Sequence, residues 1–127
     1  FYKPAGNVNG HPGYSDVQDA DVDLANVLGT LQKSPQWAHM AIVITTDEFG
    51  GFYDHVAPPT GDRWGPGSRI PAVVISPYAK KGYVDHTYYD TASILKFITK
   101  RFNLKALAGF RSATGDLTNA FDFTQAP

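Results

Sequence analysis

The side chains with most chemical potential crowd into residues 47–69, DEFGGFYDHVAPPTGDRWGPGSR, which hold four acids, one histidine, two arginines and four aromatics among five glycines and three prolines. Asp47 and Glu48 are adjacent, and two carboxylates side by side are hard oxygen donors suited to Ca²⁺, Mg²⁺ or Mn²⁺. A cation held there would polarise a phosphoryl or acyl oxygen and neutralise charge in a displacement. Gly50-Gly51 allows the backbone to turn so that both carboxylates face one site. The competing reading is structural: Asp47 caps the next turn and Glu48 is solvated. His11 lies in a second glycine-rich loop, Gly10-His11-Pro12-Gly13. A histidine there can donate to a phosphate oxygen or protonate a leaving group. On the residues alone, a surface loop histidine is the plainer reading.

His55 follows Asp54 and His86 follows Asp85, and both read as structural neighbours; His39, after Trp37, reads as a surface or packing residue. Arg63 and Arg69 can each bind a phosphate with two hydrogen bonds, or pair with Asp62 or another acid of the loop. Phe49, Phe52, Tyr53 and Trp64 read as packing for a long loop. The chain has no G-x-S-x-G elbow, Walker loop or G-x-G-x-x-G. Thr45, Thr46 and Ser76 have no obvious adjacent base, so metal ligands and an acid are present without a convincing nucleophile.

The elements that must position these residues follow from periodicity. Residues 1–14 show no period and read as a loop. Ser15 or Asp16 then caps a helix whose apolar stripe is Val17, Ala20, Leu24, Val27, Leu28 and Leu31, ending near Ser34-Pro35. The run Ala41 to Thr46 is β-branched and does not alternate, as in a strand covered on both faces within a parallel sheet. It places Asp47 and Glu48 at the carboxyl end of that strand, where open α/β sheets bind ligands. Ile70 to Ile75 reads as a second such strand, with Pro71 at its start. Asp90 caps a second helix through Ile94, Leu95, Phe97, Ile98 and Phe102, and the tail from Leu104 shows only short helical turns. A parallel sheet usually has about five or six strands. Two strands that both look central therefore predict a piece of a larger α/β sheet. The twenty-three residues between them are long for an unstructured connection without a function.

The whole chain is 127 residues with 43% hydrophobic and 18% charged side chains, the composition of one globular domain. Eleven Lys plus Arg against twelve Asp plus Glu give a net charge of −1. That excludes recognition of nucleic acid or an anionic membrane by bulk charge. No apolar run nears the ~18 residues that cross a bilayer. With no cysteine there is neither a disulfide nor a thiolate metal site. The opening at Phe1, without a leader, predicts a chain cut from a larger precursor.

Several segments in order carry a resemblance: FYKPAGNVNGHPGYSDV, TTDEFGGFYDHVAPP, GDRWGPGSRIPAVVISPYAKKGYVDHTYYDTASILKFITKRFNL and GDLTNAFDF. Together they resemble the carboxyl-terminal part of the bacterial phosphoesterase family. That family contains acid phosphatases and phosphocholine-specific phospholipases C, within the alkaline-phosphatase-like superfamily. The opening segment and LQKSPQW look most like the acid phosphatase branch. The resemblance implies an α/β chain, a fragment of an alkaline-phosphatase-like three-layer fold with a mainly parallel sheet. Residues 1–127 would be the carboxyl-terminal portion of the catalytic domain, with the amino-terminal half absent.

The resemblance further implies that Asp47 and Glu48 are ligands of one divalent metal ion, and that His11 lines the phosphate pocket and assists the leaving group. Asp54 and His55 belong to the same motif without an assigned role. The Ser/Thr-type nucleophile and the rest of the metal site would lie in the missing half, the expected partner, so the isolated chain would be inactive. The implied reaction is hydrolysis of a phosphomonoester, as by an acid phosphatase. Alternatives are phospholipase C-type phosphodiester hydrolysis, or a non-catalytic fragment that only binds a cation. The family implies a periplasmic or secreted location, with no nucleic acid and no membrane span.

Overall fold

A computed structural model describes residues 1–127. Helix α1 is Val17–Gln32, strands β1 and β2 are Ile42–Thr45 and Ala72–Ile75, and helix α2 is Ala92–Arg101. Short 3₁₀ turns lie at Gly6–Val8, Trp37–His39 and Thr118–Ala120. The chain divides into two compact units. One comprises Phe1–Ala38 with Thr46–Pro71, the other His39–Thr45 with Ala72–Pro127. No helix is long and apolar enough to cross a membrane.

In the first unit, α1 forms where its pattern predicts. Asp16 is extended and its carboxylate accepts from the Asp19 N–H at 2.7 Å. That satisfies one of the donors that a helix start leaves without an intrahelical partner. The stripe residues Ala20, Leu24, Val27, Leu28 and Leu31 are half-buried, whereas Val17 at the first turn is exposed. The helix stops two residues short of Ser34, which precedes Pro35, as proline's steric demand requires.

In the second unit, the strands correct the expected sheet. β1 and β2 pair antiparallel, with Ile42 opposite Ile75 and Thr45 opposite Ala72, in a sheet of two strands. A parallel pair needs a crossover that returns the chain to its starting end, usually through a helix. The segment Thr46–Pro71 contains no helix, and the chain comes back along β1 in the opposite direction. An apolar run without alternation does not distinguish the two directions, and here both strands are only half-buried or exposed. The chain is therefore of mixed α and β content without the mainly parallel sheet or the three layers. β2 begins after Pro71, which has no N–H to give the ladder.

The four buried residues, Ser93, Thr114, Leu117 and Phe121, all lie in this second unit. Phe121 stacks on Phe97 of α2 at 5.1 Å and on Phe123 at 5.4 Å between ring centres. The tail is bound to the residues after β2 by Lys80 N–H to Ala120 O and Asp122 N–H to Tyr78 O. At the start of α2, Asp90 accepts from the Ala92 N–H while its own N–H donates to Ser93 Oγ, a reciprocal cap. Asp90 also holds Arg111 at 2.7 Å. Farther along α2, the Lys96 ammonium donates to the carbonyls of Arg111 and Thr114 and to Thr114 Oγ1.

Two aspartates tie this unit together. Burial pushes the Asp85 carboxyl up, but hydrogen bonds from Tyr89, Thr87 and Asn119 outweigh it and bring it down to about 2. The Tyr89 phenol moves the other way, to about 12, through burial and its bond to Asp85. Asp116 is brought down to about 2, chiefly by the Lys100 ammonium 2.7 Å away. Both folded values lie below the ordinary 3.8, so the unfolded chain takes up these protons first as pH falls. The stabilisation they give is complete above about pH 4 and is lost as pH drops toward about 2. Denaturant midpoints measured from pH 7 to pH 2 should fall across that window. Asp116→Asn should lower the midpoint at pH 7 and flatten the decline; an equally steep decline would remove Asp116 from the explanation.

Candidate functional site

The acidic turn is set by local bonds. After β1, Thr46 Oγ1 donates to Glu48 O at 2.7 Å, and Gly50 and Gly51 both take left-handed backbone angles, φ +78° and +73°. Glu48 Oε1 accepts from the Gly50 N–H at 3.2 Å, so this carboxylate braces its own turn. Asp47 instead forms an ion pair with Lys3, forty-four residues away. The two carboxylates thus have separate partners, and Glu48 rather than Asp47 does the capping.

The histidine loop is equally specified. Ser15 Oγ accepts from the Gly10 N–H, Asn9 Oδ1 from the His11 N–H, and His11 O from the N–H groups of Tyr14 and Ser15. The two loops meet at Pro12 and Gly51. A Cβ on Gly51 would lie 2.7 Å from Pro12 Cγ and 3.2 Å from Cδ, so only glycine permits the contact. Through it, the HPG loop and the acidic turn lie against one another.

His11 Nδ1 lies 2.7 Å from Pro12 O, and the ring meets Tyr14 edge-on at 4.8 Å. A carbonyl only accepts, so Nδ1 carries the proton of this bond. The neutral ring then presents Nε2 as an acceptor, and Nε2 becomes a donor only when the imidazole is charged. The Lys3 hydrogen bond holds the Asp47 carboxyl below its usual value, with a smaller electrostatic contribution from His11. Asp47 is thus under the influence of Lys3 first and of His11 second. Lys3 is the residue that reading the sequence missed, since nothing in YKPAG marks its lysine as different from a solvated one. It is set by its neighbours: Tyr2 Oη donates to Asp23 Oδ2 of α1 at 2.8 Å, and Val8 N–H closes the 3₁₀ turn on Ala5 O.

The remaining candidates sort themselves. Arg69 donates from Nε and Nη2 to the two Asp54 oxygens at 2.9 and 2.8 Å, and its N–H also reaches Asp54. This fork closes the loop from residue 54 to 69 and holds the Asp54 carboxyl far below its usual range. His55 Nδ1 is 4.0 Å from Asp54, so arginine and not histidine is the partner of that acid. Arg63 lies over the Trp64 ring at 4.6 Å. A cleft of about 460 Å³ opens among Phe49, Phe52, Tyr53, Asp54, His55 and Arg69, with Tyr53 92% exposed. Loop aromatics expected to pack thus face solvent in good part.

No group of three or more His, Asp or Glu side chains that could hold a metal forms within the chain. Asp47 and Glu48 are oxygen donors of the right kind for a hard cation, which takes about six or more oxygens. They fit such an ion as part of a set.

The Gly51–Pro12 contact predicts an asymmetry between two glycines. Gly13 has φ +86° and open space around it, whereas Gly51 has a similar angle and the Pro12 ring against it. Gly13→Ala should cost the backbone strain alone, about 1 kcal/mol, and Gly51→Ala about 1–2 kcal/mol more. Thermal unfolding of the two variants reads the difference, and equal losses would show that the contact contributes nothing.

The chain matches the Phosphoesterase family over residues 1–105, a span that holds Lys3, His11, Asp47, Glu48, Asp54 and Arg69. It is 34% identical to phospholipase C B of Mycobacterium tuberculosis, an alignment covering 92% of this chain and 28% of that protein. It is 36% identical to non-specific phospholipase C1 of Arabidopsis thaliana, over 76% of this chain and 22% of that protein. Non-hemolytic phospholipase C of Pseudomonas aeruginosa is 32% identical, over 89% and 21%. The chain spans between a fifth and about three tenths of the length of these relatives. A match over most of its residues, with the loops that form the site inside it, identifies the chain as a member of the phosphoesterase family.

Proposed function

We propose that this chain is the carboxyl-terminal part of a phospholipase C-type phosphoesterase and that it contributes to hydrolysis of a phosphodiester. The observation that carries this is the closure of the HPG loop on the Gly50-Gly51 turn, which packs the loop that holds His11 against the turn that follows Asp47 and Glu48. The expected acid phosphatase branch gives way because the relatives described above are named phospholipase C. Phosphomonoester hydrolysis is the second reading, favoured by the opening segment and by LQKSPQW.

In this reading Asp47 and Glu48 are the donors that the chain offers to one divalent cation, and the other ligands and the hydroxyl nucleophile come from outside these residues. Bound there, the cation would neutralise phosphoryl charge and polarise an oxygen. His11, held through Nδ1, works at Nε2: charged, it donates to a phosphate or leaving-group oxygen, and neutral, it accepts a proton. The site's partner is then the remainder of the enzyme, and its location is the periplasm or the exterior.

The test uses the enzyme that carries this chain, a chromogenic aryl phosphodiester and the matching monoester. Diester hydrolysis should exceed monoester hydrolysis; the reverse order would restore the phosphatase reading. A chelator should abolish turnover. Asp47→Asn should lower kcat by about 10²–10³ and His11→Gln by about 10²–10⁴. Turnover that survives both the chelator and Asp47→Asn would exclude the metal role of the carboxylates.

A further inference from the structure

We propose that Lys3 is a phosphate-binding residue of the His11–Asp47 site, an ammonium oriented by Asp47 that takes an oxygen of an anionic phosphate. This rests on the phosphoesterase reading of the site and adds to it a residue from the amino-terminal loop.

The pairing of Lys3 with Asp47 joins residues forty-four positions apart, yet both side chains are largely exposed, 75% and 69%. An ion pair so open to water contributes little to stability, because solvent screens it and two flexible chains must be held still. Stability alone gives no reason for the placement. Lys3 nevertheless lies between two tethered points, the Tyr2 bond to Asp23 and the turn at Ala5–Val8.

Charge supplies a reason. Asp47 and Glu48 together present two negative charges to any phosphate that approaches. A lysine ammonium has three donors, and the bond to Asp47 Oδ2 uses one. The others remain available to an anion on the solvent side, where Lys3 is most exposed. Arg69 does not take this role, because its fork is spent on Asp54. Lys3 is thus the cationic side chain that the fold sets directly against the acidic turn.

The experiment measures binding of inorganic phosphate to the enzyme that carries this chain, by calorimetry at low and at raised salt. Lys3→Met keeps the length of the stem and removes the charge; Lys3→Arg keeps the charge. Lys3→Met should weaken phosphate binding about tenfold and reduce its salt dependence, with the unfolding midpoint nearly unchanged. Lys3→Arg should stay within about threefold of the parent. Equal affinity of parent and Lys3→Met overturns this proposal and leaves the phosphoesterase reading standing. Absence of phosphate binding in the parent also overturns this proposal, while the phosphoesterase reading is decided separately by the diester hydrolysis test. If Lys3→Met fails to fold, Lys3→Gln replaces it, and parent-like phosphate affinity in the folded glutamine variant also overturns the assignment.

Discussion

The site depends on one close approach: the Pro12 ring lies where a Cβ of Gly51 would be. Two loops with no regular hydrogen-bonded ladder between them are held together by shape. Proline supplies a rigid ring, and glycine supplies both the missing side chain and the left-handed backbone. The candidate side chains lie close to that contact along the chain. His11 is next to Pro12 in sequence, and the acidic pair stands just before the two glycines. The rigidity is cheap in buried area, which matters in a unit where no side chain is fully buried.

On this frame electrostatics assigns different work to similar residues. The acids of the 47–69 loop divide between structure and chemistry according to their partners. Asp54 is spent on the Arg69 fork and closes the loop, Asp62 accepts from the Trp64 N–H, and Glu48 accepts from the Gly50 N–H. Asp47 reaches out of the loop, to Lys3. A carboxylate bound to a flexible lysine can exchange that partner far more easily than one held by a guanidinium fork, whose planar geometry fixes both oxygens. Partner chemistry therefore leaves Asp47 less firmly held than Asp54.

The second unit shows a different economy. Its aromatic stack and its Asp85, Asp90 and Asp116 networks anchor the tail to α2 and to the residues after β2. Elsewhere large apolar side chains remain exposed, among them Val73 on β2 and Phe102 after α2. The relatives named above are several times longer than this chain.

The sequence by itself determined the elements and the family. The stripe from Ala20 to Leu31 and the Asp16 cap are local features, and α1 appears where they require it. The extended runs at residues 41–46 and 70–75 likewise became strands within a residue or two. Local pattern also marked His11, Asp47 and Glu48 as candidates. What it left undecided was direction and partnership. The two strands run antiparallel because an apolar run reads the same in either sense, and only the path of the connection chooses. The role of Lys3, the arginine paired with Asp54, and the exchange of capping from Asp47 to Glu48 were equally invisible. Each of these depends on residues brought near by the fold, the Lys3–Asp47 and Asp54–Arg69 pairs from forty-four and fifteen positions away. Short-range periodicity carries information about the neighbours a residue has along the chain, whereas charge pairing and loop packing depend on neighbours through space, which only the tertiary structure supplies.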